Sequence, residues 1–159
     1  MSVHLDAVDR KILKLLQENA RMGIKTMATR LNMTKTPVYE RIKRLEKAGI
    51  ITKYVALVDR KKISPSMIIF LSGSLKVTAF EQIQEFYDVV EKIPEITACY
   101  LMGGENDFLL KVIVKDLEAY NLFYAKKIAT LPRVERIRSS FVLNEIKNST
   151  ALPFFDEEN

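Results

Sequence analysis

Apolar positions in the first fifty residues recur at intervals of three and four. Val8, Ile12, Leu15 and Leu16 form one stripe, Met27, Ala28 and Leu31 a second, and Val38, Ile42 and Leu45 a third. That period puts the members of each stripe on one side of an α-helix, so the spacing predicts three amphipathic helices. The first starts after Asp6, a good N-cap, carries Asp9 in its first turn where a carboxylate suits the helix dipole, and runs to about Asn19. The second covers about residues 25–31, and a polar break at Asn32-Met33-Thr34 separates it from the third. Thr34 is an N-cap candidate, Pro37 falls in the first turn where its missing N–H costs little, and Gly49 follows Ala48 as a helix-ending residue.

The outer side of the third helix is polar near its start and basic further along. Thr36, Glu40, Lys43 and Lys47 oppose the apolar stripe, with Tyr39 and Arg44 on the flanks. Two helices joined by a tight turn, the second outward and basic, make a helix-turn-helix. Small hydrogen-bonding groups can approach base edges in a major groove, and Lys and Arg can meet phosphates. Thr34, Lys35, Thr36, Pro37, Tyr39, Glu40, Lys43, Arg44 and Lys47 are therefore the candidate DNA-contacting residues. A helical hairpin with a merely solvated charged face would show the same spacing.

Beyond Gly49 the pattern changes. Residues 50–58 are β-branched and alternate in places, which predicts a strand and hence a winged variant, with Lys53 placed to touch a phosphate. Residues 59–66 (DRKKISPS) are charged and turn-prone and read as a hinge; Arg60, Lys61 and Lys62 either touch DNA or stay solvated. Strands are expected over 67–75, 96–102, 107–114 and 134–146. A helix is expected over 80–92, with Phe80, Ile83, Phe86, Tyr87 and Val90 inward, and another over 117–129, with Leu117, Tyr120, Tyr124 and Ile128 inward. The order βαββαβ is the ferredoxin-like arrangement. The fold class is thus α+β: a winged helix-turn-helix over 1–58, a linker over 59–66, a ferredoxin-like domain over 67–150 and a tail over 151–159. The acidic tip of that tail, Asp156-Glu157-Glu158-Asn159, is expected to be mobile. Apolar residues occupy both faces of the sheet, Ile69 and Leu71 against Ile68 and Phe70. A second copy should cover the face that the helices leave open, giving a homodimer through this domain.

Charge sharpens the division. Residues 1–64 carry 15 Lys/Arg against 6 Asp/Glu, a net +9, and residues 65–159 carry 10 against 14, a net −4. A polyanion partner therefore belongs to the first half. One cysteine, Cys99, and one histidine, His4, exclude an intrachain disulfide, a multi-cysteine metal site and most nucleophile–base pairs. No cofactor, metal or catalytic set is expected, and Glu105 and Asp107 read as binding rather than catalytic groups. The longest apolar run, residues 67–71, is far short of a membrane span, and no signal peptide is recognisable, so a soluble cytoplasmic protein is expected.

The stretch GGENDFLLK has chemistry of its own. Gly103 and Gly104 allow a tight turn with amides open to a carboxylate, and Asp107 can accept an ammonium group. A simple hairpin turn capped by Asp107 fits equally.

Leu5-Asp6-Ala7-Val8-Asp9-Arg10-Lys11-Ile12-Leu13, TPVYERIKRLEKAGII, GGENDFLLK and LPRVERIRSSFVLNEIK together resemble the Lrp/AsnC (feast/famine) transcriptional regulators over essentially the whole chain. The resemblance implies a winged helix-turn-helix joined to a ligand-sensing domain of the RAM/ACT-like kind. It also implies dimers that assemble to tetramers or octamers, and an amino acid or related effector held between subunits. By position, the effector residues it implies are Leu101, Met102, Gly103, Gly104, Glu105, Asn106 and Asp107 with Phe108, together with Leu117, Ser140, Phe141 and Val142. Asn106 stands where the family often has an aromatic, Arg133 where a glycine is usual, and Ser140 where a bulky residue is common. Each alters the pocket wall. Two other functions remain: RNA binding by the βαββαβ domain, which the acidic charge and the strand FLLKVI disfavour, and an architectural DNA-binding protein without an effector.

Overall fold

The computed structural model describes residues 4–76 and 80–154, apart from the side chains of residues 80 and 81. The chain divides into two units: residues up to Leu57 together with the segment from Lys147 onward, and Val58–Ile146. The tail is thus part of the first unit.

In the first unit, α1 (Ala7–Glu18), α2 (Ile24–Arg30) and α3 (Lys35–Lys47) bury one core built from Ile12, Leu13, Met27, Ala28, Val38, Ile42 and Leu45. Asp6 caps α1 in a capping box: its carboxylate accepts from the amides of Val8 and Asp9, and Asp9 returns a bond to the Asp6 amide. Between α2 and α3 the chain reverses at Asn32, which takes a left-handed φ of 52°, a conformation that asparagine tolerates. Thr34 is the N-cap of α3 by backbone conformation, but its hydroxyl makes no capping bond. At the far end Gly49 takes φ +71°, and the amides of Gly49 and Ile50 bond the carbonyls of Glu46 and Leu45 at 3.0 Å each, a Schellman closure.

The strand expected over residues 50–58 does not form. Ile50 and Ile51 pack against the helical core, and residues 52–59 are exposed and outside any strand among the described residues. β-branched residues favour a strand only where a neighbouring edge accepts its hydrogen bonds, and three helices offer none. The tail returns instead: Leu152 N–H donates to Gln17 Oε1 at 2.6 Å, Gln17 Nε2 to the Leu152 carbonyl at 3.3 Å, and Phe154 packs against the core. The acidic tip lies outside the described residues.

The supposed hinge contains a helical turn, α4 (Arg60–Ile63), capped by Asp59. The Arg60 guanidinium folds back onto Ser66, so it is a local staple rather than a free cation.

The second unit is the expected βαββαβ. Its elements are β1 (Met67–Leu75), α5 (Phe80–Val90), β2 (Ile96–Leu101), β3 (Phe108–Val114), α6 (Leu117–Phe123) and β4 (Val134–Phe141). The strands lie in the order β2-β3-β1-β4, all neighbours antiparallel. Strictly alternating burial along β3 shows one face packed, and Ile69, Leu71, Leu110, Val112, Phe86 and Phe108 fill the core between sheet and helices. The second helix was expected to run to residue 129. It changes at Tyr124–Ile128 to one π turn, closed by Ala129 N–H on the Tyr124 carbonyl at 2.8 Å. The last strand was expected to reach residue 146. It stops at Phe141, opposite Ile69, because β1 begins at Met67 and offers almost no further partner; Leu143 is 99% exposed.

Arg133 adopts a left-handed φ of 63° where the glycine of the family turn is absent. Its carbonyl accepts from Lys76 N–H at 2.7 Å, and its Nε donates to Glu85 at 3.0 Å. Gly73 is needed for close approach: a methyl there would overlap the carbonyl oxygen of Arg136 on β4.

Candidate functional site

Two separate regions carry candidate chemistry, one in each unit. The first is the outer side of α3. Thr34, Lys35, Thr36, Tyr39, Glu40, Lys43, Arg44 and Lys47 are all exposed, and Pro37 is half-buried, so the periodicity placed this surface correctly. Lys53 is exposed as well, on an irregular segment. The face is partly organised: Lys43 Nζ lies 5.8 Å from the Tyr39 ring centre and 2.8 Å from Glu46 Oε2. Glu46 also accepts from the Tyr54 hydroxyl at 2.9 Å. Bonding to Glu46 raises the Lys43 pKa; burial, and then the same carboxylate, push the Tyr54 phenol up to about 12. Lys35 and Lys47 have no salt-bridge partner among the described residues and are the free cations of the helix.

The inner flank of α3 holds groups that sequence reading missed. The Asp9 side chain is fully buried, and Arg41 and Arg44 converge on it from α3. Arg41 Nη1 is 2.8 Å from Asp9 Oδ1 and 2.6 Å from Asp6 Oδ2, while Arg44 Nη2 bonds Asp9 Oδ2. The Asp9 amide and the Arg41 guanidinium hold the Asp6 carboxyl down at about 2. Arg44, expected to meet DNA, therefore has a structural partner; Arg41 was not singled out at all. A signal was present, in two acids three apart at the start of α1 (its N-cap Asp6 and Asp9) and two arginines three apart on α3, but sequence alone does not say that those groups meet.

The second region is the loop between β2 and β3. Leu101, Met102, Gly103, Gly104 and Glu105 are exposed, and Asn106 and Asp107 are half-buried. Gly104, at φ 138°, is in a conformation that side chains rarely adopt; Gly103 is not. Asp107 is partly engaged by the backbone. Its Oδ2 accepts the Leu75 amide at 2.8 Å, its own amide donates to the Gly73 carbonyl at 2.8 Å, and its carbonyl takes the Met102 amide at 2.8 Å. It pins the loop to β1.

The remaining effector candidates do not join this loop within one chain. The loop lies at the Gly73 end of β1, where Gly73 pairs with Phe108 and Ile137. Phe141 pairs with Ile69, four residues along β1, about 13 Å at ~3.3 Å per residue. Phe141 packs edge-on against Tyr120 of α6, at 5.2 Å between ring centres, so Leu117, Ser140, Phe141 and Val142 gather at the opposite end. What does lie beside the loop is a cavity of about 270 Å³ lined by Ser72, Ser74, Glu105, Asn106, Arg136 and Arg138 among others. Alternation along β1 and β4 puts the two serines and two arginines on the sheet face away from the helices. The pairs Ser-x-Ser and Arg-x-Arg were the legible signal, left unused.

Among the described residues no group of three or more His, Cys, Asp or Glu could hold a metal, and no helix is long and apolar enough to cross a membrane.

Known proteins show the same two-part plan. A family model for winged helix-turn-helix DNA binding matches residues 5–52, and one for the Lrp/AsnC ligand binding domain matches residues 70–152. The DNA-binding transcriptional activator DecR of Escherichia coli (strain K12) is 36% identical over 149 residues, which are 94% of this chain and 98% of that protein. The crystal structure of an AsnC family transcriptional regulator from Agrobacterium tumefaciens superposes with a TM-score of 0.88 at 35% identity, covering 94% of this chain and 97% of the other. A transcriptional regulator from Neisseria meningitidis, solved as its complex with L-Met, gives 0.87 at 35% identity with the same coverage.

Proposed function

The chain belongs to the Lrp/AsnC family of DNA-binding transcriptional regulators, and from that premise we propose that it reads duplex DNA with α3 under the control of an amino-acid effector. The observation that carries the first part is the exposed outer face of α3, where Thr36 and Tyr39 precede Lys43 and Lys47 on a helix whose other side is locked into a core. Thr36, Tyr39 and Glu40 address base edges; Lys35, Lys43, Lys47 and Lys53 address phosphates. Arg44, held by Asp9, sets the helix in place more than it grips DNA.

The effector reading is supported by the ligand-binding family of residues 70–152 and by the L-Met complex of the Neisseria regulator. Because the loop and the Phe141 end lie at opposite ends of β1, residues from both ends line one site only when two subunits contribute. The protein then acts as a homodimer or larger assembly, with two copies of α3 favouring pseudo-palindromic half-sites. The effector controls it through different affinities for different assemblies. The cytoplasm is the compartment for this work.

Footprinting on the DNA upstream of its own gene tests the DNA part: Thr36→Ala and Tyr39→Ala should change the protected sequence, and an unchanged footprint in both removes the base-reading role. Thermal unfolding with each of the twenty amino acids at millimolar concentration tests the effector part. One or two should raise the midpoint and change the light-scattering mass, and silence from all twenty rejects it.

A further inference from the structure

The cavity beside the loop is polar and positively charged, and its charges are not satisfied from within. Arg136 and Arg138 project from the same face of β4, about 7 Å apart along the strand, yet neither guanidinium has a carboxylate partner among the described residues. Arg136 gives its Nε to Ser74 Oγ at 3.3 Å, and that hydroxyl also reaches Glu135 at 3.4 Å. The Arg138 guanidinium, opposite Ser72, donates to no acceptor among the described residues. Glu105 is the one carboxylate among the lining residues. The lining groups therefore sum to one net positive charge, with Ser72, Ser74 and Asn106 as neutral hydrogen-bonding walls. At about 270 Å³ the space suits a molecule of amino-acid size.

We infer that this cavity binds an acidic amino acid, its two carboxylates on Arg136 and Arg138 and its ammonium on Glu105. The inference rests on the effector reading and narrows it. Two carboxylates and one ammonium carry one net negative charge, matching the cavity, and guanidinium–carboxylate pairs are the strong, directional kind. An aliphatic side chain would meet hydroxyls, an amide and a guanidinium, leaving those groups without their water and without partners.

Titration calorimetry of the full-length protein decides it, with L-glutamate, L-aspartate, glutarate, L-leucine and L-methionine as probes. Glutamate or aspartate should bind, and Arg136→Ala and Arg138→Ala should each weaken binding by about tenfold or more, the scale of a lost hydrogen bond to a charged group. Arg138 is exposed in the single chain and has no partner among the described residues, so its variant should keep the wild-type unfolding midpoint. Glu105→Gln should weaken glutamate and leave glutarate, which lacks the ammonium, unchanged. Leucine or methionine binding while both acidic amino acids stay silent overturns the inference and leaves the effector reading intact. If glutamate binds the arginine variants as it binds the wild type, the site is not this cavity. Silence from all five probes overturns the inference, and silence from all twenty amino acids in thermal unfolding ends the effector reading with it.

Discussion

Each unit holds its functional element in place with one carboxylate, and the two do so by different physics. Asp9, fully buried, anchors α3 by charge: two guanidiniums of that helix converge on it. Asp107, half-buried, anchors the β2–β3 loop by hydrogen bonding to backbone, taking the Leu75 amide while its own amide meets Gly73. The first anchor fixes the orientation of a whole helix and ties up two of its cations. The second fixes a local turn and leaves the side chains of Glu105 and Asn106 without partners among the described residues. The difference teaches where to look for working groups: on α3 they lie on the side away from the anchor, and on the loop they are its immediate neighbours.

Asp9→Ala should produce the largest loss. Removing one partner of a buried ion pair typically costs about 3–5 kcal/mol; here both arginines stay partly in water, so about 2–3 kcal/mol is expected in urea unfolding of the first unit. DNA affinity should fall with it, and a variant with full stability would dissolve the contrast. Asp107→Ala leaves one backbone amide unsatisfied and should cost about 1–2 kcal/mol, confined to the second unit. Segment-resolved hydrogen exchange around Leu75 and residues 101–107 checks that confinement.

Acid should act on the first unit through Asp6, which shares Arg41 with Asp9. The Asp6 carboxyl, held at about 2 against an ordinary 3.8, contributes stability that is present above pH 4 and is lost as pH falls through about 2. Because that side chain is 44% exposed, the contribution is about 1 kcal/mol or less. Asp6→Asn should abolish this part of the acid sensitivity, visible as a shallower fall in unfolding midpoint between pH 4 and pH 2. The smallest effect is expected at Arg133. Arg133→Gly relieves a positive φ and loses an exposed pair with Glu85, for a net gain of up to about 1 kcal/mol by thermal unfolding.

Periodicity made the element order legible, because three-and-four spacing and strand alternation report burial directly. It also placed every exposed residue of α3. It failed where partners decide: residues 52–58 look like a strand but have no edge to join, and residues beyond Phe141 outrun β1. Site residues followed the same rule. The α3 face is local to one helix and was visible. The Asp9–Arg41–Arg44 cluster and the Arg136–Arg138 cavity each bring together separate elements, and single-sequence spacing does not carry those contacts.

The exposed lysines on and just beyond α3 are assigned to phosphates. The most direct measurement is the DNA affinity of the wild type and of Lys47→Ala as a function of salt concentration. Lys35, Lys43, Lys47 and Lys53 predict a slope of about −3 to −4 per reading helix in log affinity against log salt, and Lys47→Ala should reduce its magnitude by about one. A flat dependence, or a slope that Lys47→Ala leaves unchanged, would contradict the assignment of this face to DNA.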